Sequence, residues 1–137
     1  MQNHVFPTQR SNSRNLLLLL FISTGLIVAI FIESSQPPLA IFGQISGLDK
    51  VAHFMAFGLL ASLLYLIIKS LKTHKWFSPF VITIGLITTI GLSDELYQLL
   101  NPDRAFDMYD LLADISGAWF FVILLKIRNY FRSRVNP

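Results

Sequence analysis

Between Ser93 and Gly117 the chain reads SDELYQLLNPDRAFDMYDLLADISG. This stretch gathers six of the eight acids, one Arg, and the only Gln past residue 45. Carboxylates, an amide and a guanidinium in one place can neutralise each other, chelate a hard cation, or hold an anion while a proton moves. Long apolar runs lie on both sides. Polar groups set between membrane-length segments are expensive unless they are partnered or used.

Spacing sorts these residues onto helix faces. Asp94 and Gln98 are four apart and Glu95 and Gln98 three apart, so both acids share a face with the amide. Asp107, Asp110, Asp114 and Gly117 form one stripe on the helix that follows. A third group, Asp49, Lys50 and His53, opens an earlier helix. At 1.5 Å per residue, Asp94 lies about 9 Å from the end of its helix at Leu100, Asp114 about 10 Å past Asp107, and His53 about 6 Å past Asp49. Three helices thus bring ionisable groups into one layer. Asp114 lies deepest, and is expected to face the bundle and either find a partner or be held neutral.

The elements that position this layer are membrane helices. The 137 residues are 53% hydrophobic and 14% charged, which marks one small domain of membrane type. Four apolar runs approach the roughly 17–25 residues that span a hydrocarbon core of about 30 Å: Leu16–Ile32, Val51–Ile68, Trp76–Leu92 and Leu111–Leu125. Short loops make consecutive helices antiparallel. The expected fold is an all-α, four-helix transmembrane bundle. Residues 1–15 form a disordered cytoplasmic tail containing His4, residues 16–130 the four-helix membrane domain, and residues 131–137 a basic C-terminal tail. Leu16–Ile32 exceeds the 7–15 residues of a signal-peptide core and no small-x-small site follows at once, so it is read as a retained helix. Gly25 is expected at a close helix contact. Between the first two spans, Pro37-Pro38 stops the helix and Leu39–Phe42 lies at the interface, as a tether or as a cover for the polar layer.

Charge sets the orientation. Arg10 and Arg14, then Lys69, Lys72 and Lys75, then Lys126, Arg128, Arg132 and Arg134 fall on one side of the spans; Lys50 and Arg104 fall on the other. By the positive-inside rule both termini and the middle loop, with His74, are cytoplasmic, and the acids face outward. The basic residues then serve topology and contacts with anionic membrane lipids, not nucleic acid. With no Cys, thiol catalysis, thiolate metal sites and disulfides are excluded.

Three uses of the polar layer remain open. Arg104, Lys50 and His53 neutralise acids and lock the helices. Or Glu95, Asp94, Asp110 and Asp114, with His53, bind a divalent cation such as Mg²⁺ or Ca²⁺, although no ligand spacing is diagnostic. Or Arg104 holds a phosphate or carboxylate in bidentate fashion while an acid or His53 moves a proton. In this last reading Glu95, Asp94 and His53 are the catalytic candidates. Arg104, Gln98, Lys50, Asp110 and Asp114 contact the substrate, an anionic lipid-linked ligand approaching from the outer leaflet. Proton-coupled transport is a further possibility that would call for a homo-oligomer. No cofactor is assigned. There is no G-x-S-x-G, no H-E-x-x-H and no phosphate-cradling glycine loop.

Taken together, Asp49-Lys50-x-x-His53-x-x-x-Phe57, Asp94-Glu95-x-x-Gln98, Pro102-x-Arg104, and Asp110-x-x-x-Asp114 with Gly117 resemble the VanZ-like family of small bacterial membrane proteins. The motifs span about 70 residues, and the four-helix plan covers nearly the whole chain. The resemblance implies a multi-pass protein of the bacterial cytoplasmic membrane and cell envelope, in a family named for a member associated with resistance to the glycopeptide teicoplanin. It singles out His53, Asp94, Glu95, Gln98, Arg104, Asp110 and Asp114. Its functional implication is binding or modification of an anionic envelope component; the alternative is a non-catalytic accessory protein whose charged cluster fixes helix packing and partner contacts. Two departures stand out: Asp103 where the family often has Gly, and Phe121 near an expected second Gly.

Overall fold

A computed structural model describes residues 8–38, 41, 44–71 and 76–135, residues 8–12 by their backbone alone. Four helices follow one another: α1 Thr8–Ser34, α2 Leu48–Leu71, α3 Pro79–Gln98 and α4 Met108–Val135. All four are long and apolar enough to cross a membrane, and the described residues contain no strand. The chain is an all-α bundle of four membrane-length helices. The helices run past one or both ends of their apolar stretches, because the main-chain hydrogen bonds of a helix do not depend on side-chain polarity. Thus α1 takes in Thr8–Asn15, assigned to a tail from sequence, and α4 continues through Arg134. Residues 1–7 with His4, the segments Leu39-Ala40 and Phe42-Gly43, the loop 72–75 with His74, and residues 136–137 lie outside the described residues.

Local chemistry sets the helix ends. Gly47 has φ of 79°, a left-handed conformation that glycine adopts without a Cβ penalty, and α2 starts immediately after it. Ser78 caps α3, its hydroxyl accepting from the Val81 amide at 3.3 Å, and Pro79 occupies the first helical position. Asp107 caps α4, its Oδ1 accepting from the Tyr109 amide at 2.8 Å.

α2 and α4 are the most closely packed pair. A Cβ built on Gly117 would run into the backbone carbonyl of Phe54, so glycine is required there for the two helices to approach. About one turn further along α2, the ring of Phe121 lies across Gly58. The aromatic residue that departs from the family pattern is matched by the missing side chain opposite. Gly25, by contrast, has open space around its Cβ position and marks no close contact. The apolar core comprises Phe57, Leu60, Ala61, Tyr65, Ile87, Ala118 and Val122. It sits below the polar layer, toward the end where the helices meet the basic loops.

Candidate functional site

Every ionisable residue singled out from the sequence falls at the end of the bundle where α1 and α3 finish and α2 and α4 begin. Asp94, Glu95, Gln98, Asp110 and Asp114 are buried. The same helix faces therefore carry the acids on α3 and the acid stripe on α4, and the bundle folds both inward.

From α4, Asp114 reaches across to α2. Its Oδ1 lies 3.0 Å from His53 Nδ1, and its Oδ2 presses against Gly91 of α3, where a Cβ would come within 2.7 Å. The small residue on α3 makes the room that the carboxylate occupies. The His53 ring stacks parallel to Phe57 one turn deeper, with centroids 6.0 Å apart.

Asp94 is held from two sides. Ser34 Oγ, the last hydroxyl of α1, donates to Oδ1, and Gln98 Nε2 donates to Oδ2 at 3.2 Å. Glu95 Oε2 accepts the Asp107 amide at 2.8 Å, so α3 grips the residue that caps α4. The other oxygen, Glu95 Oε1, has no partner among the described residues, nor does Asp114 Oδ2, and both are fully buried.

Lys50 and Arg104 take up four of the remaining acids, Asp49, Asp107, Asp110 and Glu33. Lys50 Nζ donates to Asp49 Oδ2 at 2.8 Å and to Asp107 Oδ2, and makes a charge contact with Asp110 Oδ1 at 2.8 Å. The Lys50 ammonium holds the Asp107 carboxyl below its ordinary value of 3.8. Arg104 turns to α1: Nε donates to Gln36 O at 3.1 Å, and Nη2 to Glu33 O at 3.3 Å and Glu33 Oε1 at 2.7 Å. Its turn is shaped by Asn101, whose Oδ1 accepts from the Asp103 amide at 3.0 Å and whose carbonyl accepts from the Arg104 amide at 3.0 Å. Among the described residues, His53 is then the group beside Asp94, Glu95 and Asp114 that can carry a positive charge.

A cavity of about 410 Å³ opens onto this layer. Leu26, Ala29 and Ile30 of α1 with Ala52, Ala56 and Phe57 of α2 make an apolar wall. His53, Asp94, Gln98 and Asp110 make the polar one, and Glu33, Asp49, Asp103, Arg104 and Asp107 the rim. Ala52 and Ala56 have side chains small enough to leave this space open. Glu95 and Asp114 stand behind the polar wall rather than in it, and Lys50 works from the side.

The contribution of α1 was not legible from the sequence. Glu33 and Ser34 read there as the start of a loop, yet they partner Arg104 and Asp94, 71 and 60 residues away. The available signal was a hydroxyl and an acid placed directly where an apolar run ends. The arrangement can hold a polar or charged head between carboxylates and imidazole with a greasy tail beside it, bind a cation, or move a proton through the His53–Asp114 pair.

Comparison with known proteins places this geometry. Neither a curated protein nor a solved structure matches the chain. The family model described as VanZ/LLP1 matches residues 7–129, which include all four helices' cores and every residue of the polar layer. The chain is therefore a multi-pass, four-helix membrane protein, and it belongs to the VanZ/LLP1 family.

Proposed function

We propose that this protein binds, and in binding exposes to acid–base chemistry, an anionic amphiphile of the bacterial cell envelope. The cavity carries this reading: an apolar wall from α1 and α2 faces a polar wall from α2, α3 and α4, which suits a molecule with one greasy and one polar part. Arg104 stands at the rim, where a phosphate or carboxylate would meet it. His53, oriented by Asp114, is the group placed to move a proton, and Asp94 lies beside it on the same wall. The Lys/Arg distribution favours a cytoplasmic-membrane protein with this end outward and both termini inside. We extend the proposal to the teicoplanin connection implied by the VanZ resemblance: occupancy of this cavity alters how cells respond to glycopeptides.

The test is mass spectrometry of lipids that co-purify with the full chain in a native membrane mimic. An anionic amphiphile retained by wild type and lost in Ala52→Phe, which fills the cavity, supports the reading. Equal retention in both variants, or no anionic lipid at all, overturns it. Glycopeptide susceptibility of cells carrying Ala52→Phe reads out the second half.

The competing account, a non-catalytic accessory protein, is favoured by one observation. Arg104 already donates to Glu33 of α1 through Nη2 and to Gln36 just past that helix through Nε, and Lys50 already ties together Asp49, Asp107 and Asp110. Under that account Ala52→Phe changes neither lipid retention nor susceptibility.

A further inference from the structure

Two clusters bring three potential ligand atoms within 4.8 Å of one another: Asp49–Asp107–Asp110 and His53–Asp94–Glu95. The first is explained by Lys50, whose ammonium sits among its carboxylates. The second has no such cation among the described residues. Asp94 and Glu95 are fully buried, and Asp114 behind them is too. A single His cannot balance three carboxylates, and uncompensated buried charge is strongly unfavourable.

The geometry points to a divalent transition-metal site formed by His53, Asp94 and Glu95 at the floor of the cavity, with Asp114 orienting the imidazole from behind. Four observations support it. Glu95 Oε1 is buried and has no partner among the described residues, while its sister oxygen is engaged by the Asp107 amide, so one carboxylate oxygen is free. His53 Nδ1 is engaged by Asp114, which leaves Nε2 as the nitrogen available for coordination. Such a carboxylate behind a histidine ligand fixes its tautomer and raises its basicity. Asp94 is fixed in turn by Ser34 and Gln98, each of its oxygens keeping a lone pair for a metal. Finally, His53 and Asp94 line the cavity whereas Glu95 does not, so a metal held by all three has its open coordination positions on the cavity side.

One nitrogen and two carboxylates suit Zn²⁺ or Mn²⁺ better than Mg²⁺ or Ca²⁺, which favour oxygen. Bonds of about 2.0–2.2 Å would draw the three ligand atoms closer together. A site of this kind is open, and a bound metal would act there as a Lewis acid toward whatever enters the cavity.

The test uses the purified full chain in detergent, stripped with chelator and titrated with Zn²⁺, Mn²⁺, Mg²⁺ or Ca²⁺ alone. Thermal unfolding and metal content are the readouts. The expected result is a saturable stabilisation at one metal per chain with Zn²⁺ and Mn²⁺ and a much weaker one with Mg²⁺ and Ca²⁺. His53→Ala and Glu95→Gln abolish it, and Asp114→Asn weakens the affinity about 10–100-fold. No saturable effect in wild type, or one that survives both ligand variants, overturns the proposal. Should the variants fail to fold, pulsed EPR of Mn²⁺-loaded wild type decides: histidine nitrogen coupling supports the site, and its absence overturns it.

Discussion

Asp114 Oδ1 meets His53 Nδ1 at 3.0 Å across the α2–α4 interface, and this contact exists only because Gly91 on α3 leaves space for the other carboxylate oxygen. The pair therefore depends on a third helix at a position that carries no side chain. Gly91→Ala would place a Cβ 2.7 Å from Asp114 Oδ2. The expected outcome is a loss of about 1–3 kcal/mol, typical of overpacking, measured by unfolding in detergent. Gly25→Ala, with open space around it, should unfold within about 1 kcal/mol of wild type.

Phe121 and Gly58 form a matched pair. Gly58→Ala alone should destabilise the protein, because its Cβ would strike the Phe121 ring. In a Phe121→Ala background the same substitution should be close to neutral. A double-mutant cycle should return a coupling of about 0.5–3 kcal/mol, and strict additivity would show that the ring moves aside freely.

Arg104→Lys separates two roles of one side chain. A single ammonium cannot reproduce donation to Gln36 O, Glu33 O and Glu33 Oε1 together. The end of α1 should become more sensitive to protease near Gln36, with a stability loss of about 1–3 kcal/mol. Glu33→Gln should show a smaller loss, since the two carbonyl acceptors remain.

Asp107 gives the pH dependence a sign. Its carboxyl is held low by Lys50, so the native state binds that proton less readily than the unfolded chain does. The contribution is present above the ordinary value of 3.8 and is lost as pH falls through the lower native value. It is modest, because the side chain is 36% exposed and water screens the pair. Lys50→Gln should flatten this limb of an acid-unfolding curve; an unchanged limb would mean that Asp107 is not held by Lys50.

Topology can be read directly, because the chain has no cysteine. Asp103→Cys should react with an impermeant thiol reagent added outside cells, and Ser133→Cys only after permeabilisation. The reverse pattern would place the polar layer in the cytoplasm.

Much of this was visible in the residues. Four apolar runs declared four helices, and the i, i+3 and i, i+4 spacing of Asp94, Glu95 and Gln98 and of Asp110, Asp114 and Gly117 put them on inward faces, because helical periodicity is local. The partner of Arg104 was not visible. The acid it meets is Glu33, on a helix 71 residues earlier, and only packing brings them together. Gly91 was missed for a related reason. A glycine in an apolar span reads as a helix contact, and nothing local says that a carboxylate from elsewhere fills the gap.

α1 touches the polar layer through its final turn alone, where Ser34 meets Asp94 and Glu33 meets Arg104. Sliding that helix by one turn, about 5.4 Å, would break both contacts at once. How deep α1 sits depends on how its apolar stretch matches the surrounding hydrocarbon. The height of the bilayer thus sets the register of α1 against the carboxylates, so lipid tail length becomes a control on the site itself.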